Sequence, residues 1–109
     1  MATRPDTLQG SLPLLVLTIL QRRGPLHGYA ITARIQELSD TLRVEEGSLY
    51  PALHRMEEAG WIKARMITTE RNRTARAYEV TAEGRRRLGI EEERWRSTTD
   101  AVNYVLKHA

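Results

Sequence analysis

From Leu12 onward the apolar residues recur at Leu12, Leu15, Val16, Ile19 and Leu20. Steps of three and four predict an amphipathic helix. Ser11 is its expected N-cap, and Pro13 fits a first turn, where a missing N–H leaves no helical bond unmade. Gly24-Pro25 predicts the end, with Gly24 as the C′ residue. Residues 1–9 read as a polar, frayed arm. A second helix is expected from about His27 to Ser39, with Ile31, Ile35 and Leu38 on one face. Gly28 suits close helix packing there, and Tyr29 is expected to fill core. Asp40 to Glu46 reads as a connection. Gly47-Ser48 leads into a third helix over 49–59, with Leu49, Leu53 and Met56 facing inward and Gly60 closing it. Pro51 is expected near the start, because a mid-helix proline removes a bond and clashes.

Beyond Gly60 the period changes. Trp61 to Met66 alternates, with Ile62, Ala64 and Met66 on one face and Lys63 and Arg65 on the other. Arg76 to Val80 alternates again, pairing Tyr78 with Val80. The polar run Glu70 to Thr74 between them predicts a β-hairpin. Thr81 is an N-cap candidate for a last helix reaching the C-terminus, with Glu83 in its first turn. Along it Leu88, Glu92, Trp95, Thr99, Val102 and Leu106 form a heptad-like seam that drifts from polar to apolar. So small a domain cannot bury all of such a helix, so the seam is expected to meet another chain. The order predicts a mainly α protein. Residues 1–82 form a winged helix-turn-helix, three helices plus a hairpin wing, and residues 83–109 a long dimerisation helix.

Composition narrows the function classes. The chain has 109 residues, enough for one small domain, and a net charge of +3. No Cys is present, which excludes disulfides, thiolate zinc sites and cysteine nucleophiles. The histidines His27, His54 and His108 are far apart, and no H-E-x-x-H, P-loop or G-x-S-x-G string occurs. The expectation is no enzyme, no metal and no cofactor. The apolar stretch Leu12 to Leu20 is too short to span a membrane and lacks the flanks of a secretory signal, so the expected location is cytoplasmic.

The polar positions are more informative. With Leu49, Leu53 and Met56 inward, the third helix shows Ser48, Tyr50, Pro51, His54 and Arg55 outward. Hydroxyl, imidazole and guanidinium groups reach phosphate oxygens and base edges, although an ordinary solvated helix face would look similar. The hairpin carries Lys63, Arg65, Arg71, Arg73 and Arg76 against the single acid Glu70, a pattern suited to gripping DNA backbone. Arg85 to Arg87 reads instead as a solvated run able to pair with Glu91 to Glu93. Trp95 suits a dimer core, and a cavity between it and first-helix residues such as Leu15 could hold a flat aromatic ligand. Tyr104 reads as surface.

Three segments resemble the PadR family of bacterial transcriptional regulators. Leu26-His27-Gly28-Tyr29-Ala30-Ile31 is similar to the start of the family's second helix. The run from Gly47 through Leu49-Tyr50-Pro51-Ala52-Leu53 to Ile62 resembles its recognition helix and wing entry. Arg76 to Gly84 resembles its second wing strand and last-helix start. The resemblance covers residues 11–96 and implies a homodimeric repressor reading a palindromic operator in double-stranded DNA. It places Ser48, Tyr50, Pro51, His54 and Arg55 toward DNA and Arg71, Arg73 and Arg76 in the wing's contact, to which the hairpin's charge pattern adds Lys63. Some relatives respond to phenolic acids or flat hydrophobic drugs near the dimer interface. A small aromatic effector is therefore expected beside Leu15, Trp95, Thr99, Val102 and Leu106. The single C-terminal helix points to the small subclass. The alternatives are a protein-interaction module using the last helix and a non-enzymatic ligand-binding dimer.

Overall fold

The computed structural model describes residues 5–109, with side chains from residue 10. The elements are α1 (Pro5–Arg23), β1 (Leu26–His27), α2 (Gly28–Leu38), α3 (Glu46–Glu58), β2 (Ile62–Thr68), β3 (Thr74–Val80) and α4 (Ala82–His108). This is the expected winged-helix order, mainly helical with a hairpin wing and a long last helix.

α1 is the centre of the core. Leu12, Val16, Leu17, Ile19 and Leu20 are buried against Ile31 and Ile35 of α2, Leu49, Leu53 and Met56 of α3, and Ile62 and Tyr78 of the sheet. It starts earlier than its periodicity indicates. Part of the expected arm, residues 5–9, is helical, and residues 1–4 lie outside the described residues. Ser11 is therefore not the N-cap, and Pro13 sits in the interior. Pro13 has no N–H to give the carbonyl four residues back, a defect of about 3 kcal/mol in an isolated helix. The buried face on both sides of it, Leu12 and Val16, holds the axis through the break. The C-terminus follows the sequence. Gly24 has φ 85° and donates its N–H to Leu20 O at 3.0 Å.

The sheet is antiparallel in the order β1-β3-β2. β1 pairs Leu26 with Tyr78 and His27 with Ala77; β2 pairs from Ile62↔Val80 to Thr68↔Thr74. Two residues are too few to show alternation, so β1 is invisible to pattern reading. The hairpin tip is closed by Thr69 N donating to Arg73 O at 2.7 Å, with Asn72 in the left-handed region at φ 59°. Asparagine tolerates that region better than most side chains. Three burial expectations fail. Met66 shares a face with Ile62 yet is 59% exposed, because the hairpin extends past the core that covers Ile62. Tyr29 is 69% exposed, because α2 turns Gly28, Ile31 and Ile35 inward and leaves Tyr29 on its outer side. Leu38, expected on the apolar face of α2, is also exposed, at the helix's open end.

One joint sets where α3, the wing and α4 point. α3 ends in a Schellman motif, with Gly60 at φ 84°, its N–H on Glu57 O and Trp61 N–H on Met56 O, both 3.0 Å. Trp61 O then accepts from Thr81 N at 3.0 Å and from Thr81 Oγ1 at 3.1 Å. That hydroxyl shares its one proton with Gly60 O, and its oxygen accepts from Gly84 N at 3.0 Å, capping α4. Gly84 lies so close that a Cβ would stand 2.0 Å from Trp61 O and 2.8 Å from Val80 Cγ2. Further along, Arg87 lies 4.7 Å over the Trp61 ring and pairs with buried Glu91 at 2.7 Å. Gly84→Ala is expected to destabilise the fold by about 3 kcal/mol through forced overpacking against backbone. Gly89→Ala, on the same helix with nothing within 4 Å of its Cβ position, is expected to stabilise by about 0.5–1 kcal/mol. Urea unfolding at equal protein concentration checks both signs.

Candidate nucleic-acid interface

α3 buries Leu49, Ala52, Leu53 and Met56. Tyr50, Pro51, His54 and Arg55 are exposed on the other side, and Ser48 is half-buried. The helix starts at Glu46, ahead of the expected 49–59 boundary, because Glu45 supplies the cap through its backbone. Glu45 O accepts from Ser48 N and Leu49 N, each at 2.9 Å. Pro51 consequently falls in the second turn instead of the first and offers no N–H to Gly47 O. Both residues are exposed, so water can serve that carbonyl. His54 Nδ1 lies 3.8 Å from Glu58 Oε1 on the exposed face.

Tyr50 is held from the neighbouring helix. A Cβ on Gly28 would stand 2.7 Å from both the Tyr50 hydroxyl and its ring edge. Gly28 therefore does permit close packing, and the object packed is the most prominent aromatic of α3. Burial pushes the Tyr50 phenol above its ordinary value of 10.0, and Glu46 and Tyr78 add to the shift. The hydroxyl remains a protonated donor at neutral pH. α2 begins at His27, whose Nδ1 accepts from Ala30 N at 3.3 Å as an N-cap. In the sequence His27 marks the expected start of the second helix and Tyr29 an expected core residue. Their position beside the wing depends on β1, which no sequence pattern announces.

The wing's cations divide into two groups. Arg76 donates to Glu57 Oε2 at 2.8 Å and its guanidinium lies 5.9 Å from the Tyr78 ring centroid. It thereby ties β3 to α3. Lys63 and Arg65 share Glu79, at 3.4 and 3.8 Å. Arg71 and Arg73, at the exposed tip, form no ion pair among the described residues. Paired surface charges are screened and contribute about 0–1 kcal/mol each. Their larger effect is to leave the tip, with Arg71 and Arg73 against Glu70, as the wing's net positive end.

A second region lies on the far side of α1. Leu15 and Trp95 line one hollow of about 370 Å3 together with Ile19, Ile35, Leu38 and Glu92. Thr99, Val102 and Leu106 do not line it; they continue along α4, where every residue from 100 to 109 is exposed. Among the described residues no cluster could hold a metal ion, and no helix is long and apolar enough to cross a membrane.

Three helices, a hairpin wing docked on the third and an extended last helix define a winged helix-turn-helix protein. The Transcriptional regulator PadR-like family matches residues 16–90, and the chain belongs to that family. It is similar to a transcriptional regulator from Clostridium thermocellum, at 29% identity over 92% of this chain and 97% of that one, with a TM-score of 0.82. A PadR family regulator from Eggerthella lenta is 28% identical over 95% of this chain and 88% of its own, with a TM-score of 0.81. A PadR-like regulator from Bacillus cereus is 25% identical over 96% and 100%, with a TM-score of 0.81. No curated protein matches the chain.

Two measurements check the tyrosine geometry. Tyr50 is expected to titrate above the ordinary phenol value, and Tyr50→Phe should remove that component from an ultraviolet pH titration. The raised value means the folded state holds the proton longer than the unfolded chain. Tyr50's contribution is thus intact below pH 10 and falls as pH rises toward the folded-state value. Gly28→Ala is expected to displace the Tyr50 ring, visible in its aromatic NMR shifts, while changing unfolding free energy by less than about 1 kcal/mol, because the clashing atoms are the end of a movable side chain.

Proposed function

We propose that the protein is a sequence-specific DNA-binding repressor that works in the cytoplasm as a homodimer. The observation that carries this reading is α3. Its inner face is fully committed to the core, while Tyr50, Pro51, His54 and Arg55 stand exposed beside a wing whose tip keeps two unpaired arginines. α3 enters the major groove, with Ser48 and Tyr50 nearest its N-terminal end, where base edges are read. Arg71 and Arg73 grip the adjacent backbone, with Lys63 and Arg76 adding positive charge.

Residues 83–109 serve dimerisation and residues 1–82 the DNA-binding unit. Support comes from α4, whose seam residues Trp95, Val102 and Leu106 are 48%, 51% and 75% exposed in the single chain. Covering them with a second copy removes apolar surface from water and presents two α3 helices to a palindrome with half-sites about 34–36 Å apart. A small aromatic effector fits the hollow between Leu15 and Trp95, whose volume lies in the usual ligand range of about 300–1,000 Å3. Bound there, it would alter the approach of the two α4 helices and hence the half-site spacing.

A mobility shift on the promoter region of the protein's own gene, at two salt concentrations, tests the reading. The expected result is a discrete complex that weakens at least about tenfold between 50 and 200 mM salt. Tyr50→Ala with Arg73→Ala should abolish it; unchanged affinity would overturn the docking arrangement. Val102→Asp with Leu106→Asp should yield a folded monomer by sedimentation, with operator affinity reduced about 100-fold through loss of bivalency. A dimer that forms normally but binds no genomic fragment would instead favour the last helix as a protein-interaction surface.

A further inference from the structure

A cleft of about 490 Å3 opens between the first turn of α2, α3 and the wing. Two backbone features make it. The pairing of His27 with Ala77 starts α2 beside the wing's second strand, and the missing side chain of Gly28 lets the Tyr50 ring pack onto that first turn. Its lining is chemically one-sided. Arg73 and Arg76, the imidazole of His27 and the phenols of Tyr29, Tyr50 and Tyr78 all face it, and no carboxylate lines it. Glu57, outside the lining, partly neutralises Arg76.

Three donors in this lining, on His27, Tyr29 and Arg73, are available. His27 accepts the Ala30 N–H at Nδ1, so its neutral ring carries hydrogen on Nε2 and presents a donor there. The Tyr29 ring stacks on His27 with centroids 6.3 Å apart, and its hydroxyl has no hydrogen bond among the described residues. Arg73 has no acidic partner among them. A concave site with cations and neutral donors, and no acceptor carboxylate, is complementary to a phosphate oxygen pair.

We propose that this cleft seats one backbone phosphodiester of the bound duplex, held by Tyr29, His27 and Arg73. The inference rests on the DNA-binding reading above. A duplex whose major groove takes α3 and whose backbone meets the wing tip must carry a strand across the space between them, which is this cleft. A phosphate seated here fixes how deeply α3 enters and reads no base. Tyr29, set aside by pattern reading as core, becomes a positioning contact for DNA.

Tyr29→Phe is the discriminating variant, because it removes one exposed hydroxyl and leaves the ring stack and the helix cap intact. The probe is the promoter fragment that wild-type protein shifts, so loss of the DNA reading would already be evident from wild type alone. Phosphate ethylation interference is then compared between wild type and Tyr29→Phe. The expected result is one phosphate per half-site whose ethylation blocks wild-type binding and costs the variant measurably less, because only His27 and Arg73 still hold it. Affinity should fall about tenfold per half-site, equally for the operator and for unrelated duplex. Arg73→Gln should lower the salt slope by about one. Unchanged affinity overturns the proposal, as does reduced affinity with the wild-type interference pattern. Competition by inorganic phosphate beyond chloride at equal ionic strength, abolished by Tyr29→Phe, would assign the seat to a free anion and likewise overturn the assignment to DNA.

Discussion

The carbonyl of Trp61 accepts two hydrogen bonds from Thr81, and Gly84 approaches it so closely that a methyl group would stand 2.0 Å away. Four chain segments meet at this point: the end of α3, the start of β2, the end of β3 and the first turn of α4. The Schellman turn at Gly60 sets the direction in which the wing leaves α3. The Thr81 cap sets the direction in which α4 leaves the wing. The three elements with proposed external partners, α3, the wing and α4, are therefore oriented by one small cluster of backbone contacts. Arg87, between the Trp61 ring and Glu91, extends the joint along the first turns of α4.

Charge is arranged around the same geometry. The sequence is only modestly basic at +3, yet the wing does not spread its cations evenly. Glu79 occupies Lys63 and Arg65 at the strand level, and Glu57 occupies Arg76 where the wing meets α3. The tip arginines, Arg71 and Arg73, are left exposed to act over distance. Net positive charge at the hairpin tip, two arginines against Glu70, is the arrangement that steers a polyanion toward a surface. The paired arginine has a mechanical use instead, holding β3 against the helix proposed to enter the groove.

α2 connects the two faces of the molecule. Its first residues, Gly28 and Tyr29, line the cleft beside the wing, and its last, Ile35 and Leu38, line the hollow beside Trp95. Eleven residues of helix span about 16 Å. A rigid rod thus joins the side facing the proposed operator to the side facing the proposed effector and partner chain. Leu42, in the segment leading directly into α3, also lines the hollow.

The periodicity of the chain was sufficient for the order of the four helices and the hairpin, though not for β1. Leu12 to Leu20, Ile31 and Ile35, and Leu49 to Met56 are helical faces because each must turn one stripe toward a common core. The punctuation was equally local: Gly24 and Gly60 take positive φ, and Thr81 caps α4, because these depend on neighbours within four residues. The exposed set on α3 followed directly from knowing which face is buried. What local pattern could not supply is everything that depends on a distant segment. Pro13 and Pro51 lie inside helices because tertiary burial outweighs their lost hydrogen bonds. Met66 is exposed because the core ends before it reaches it, and Tyr29 because α2 turns its other face inward. β1 exists only because β3 lies alongside it, and the requirement for Gly28 arises from Tyr50, 22 residues later. A sequence records the polarity and backbone preference of each residue, whereas which atoms occupy the space around it is decided when the chain is packed.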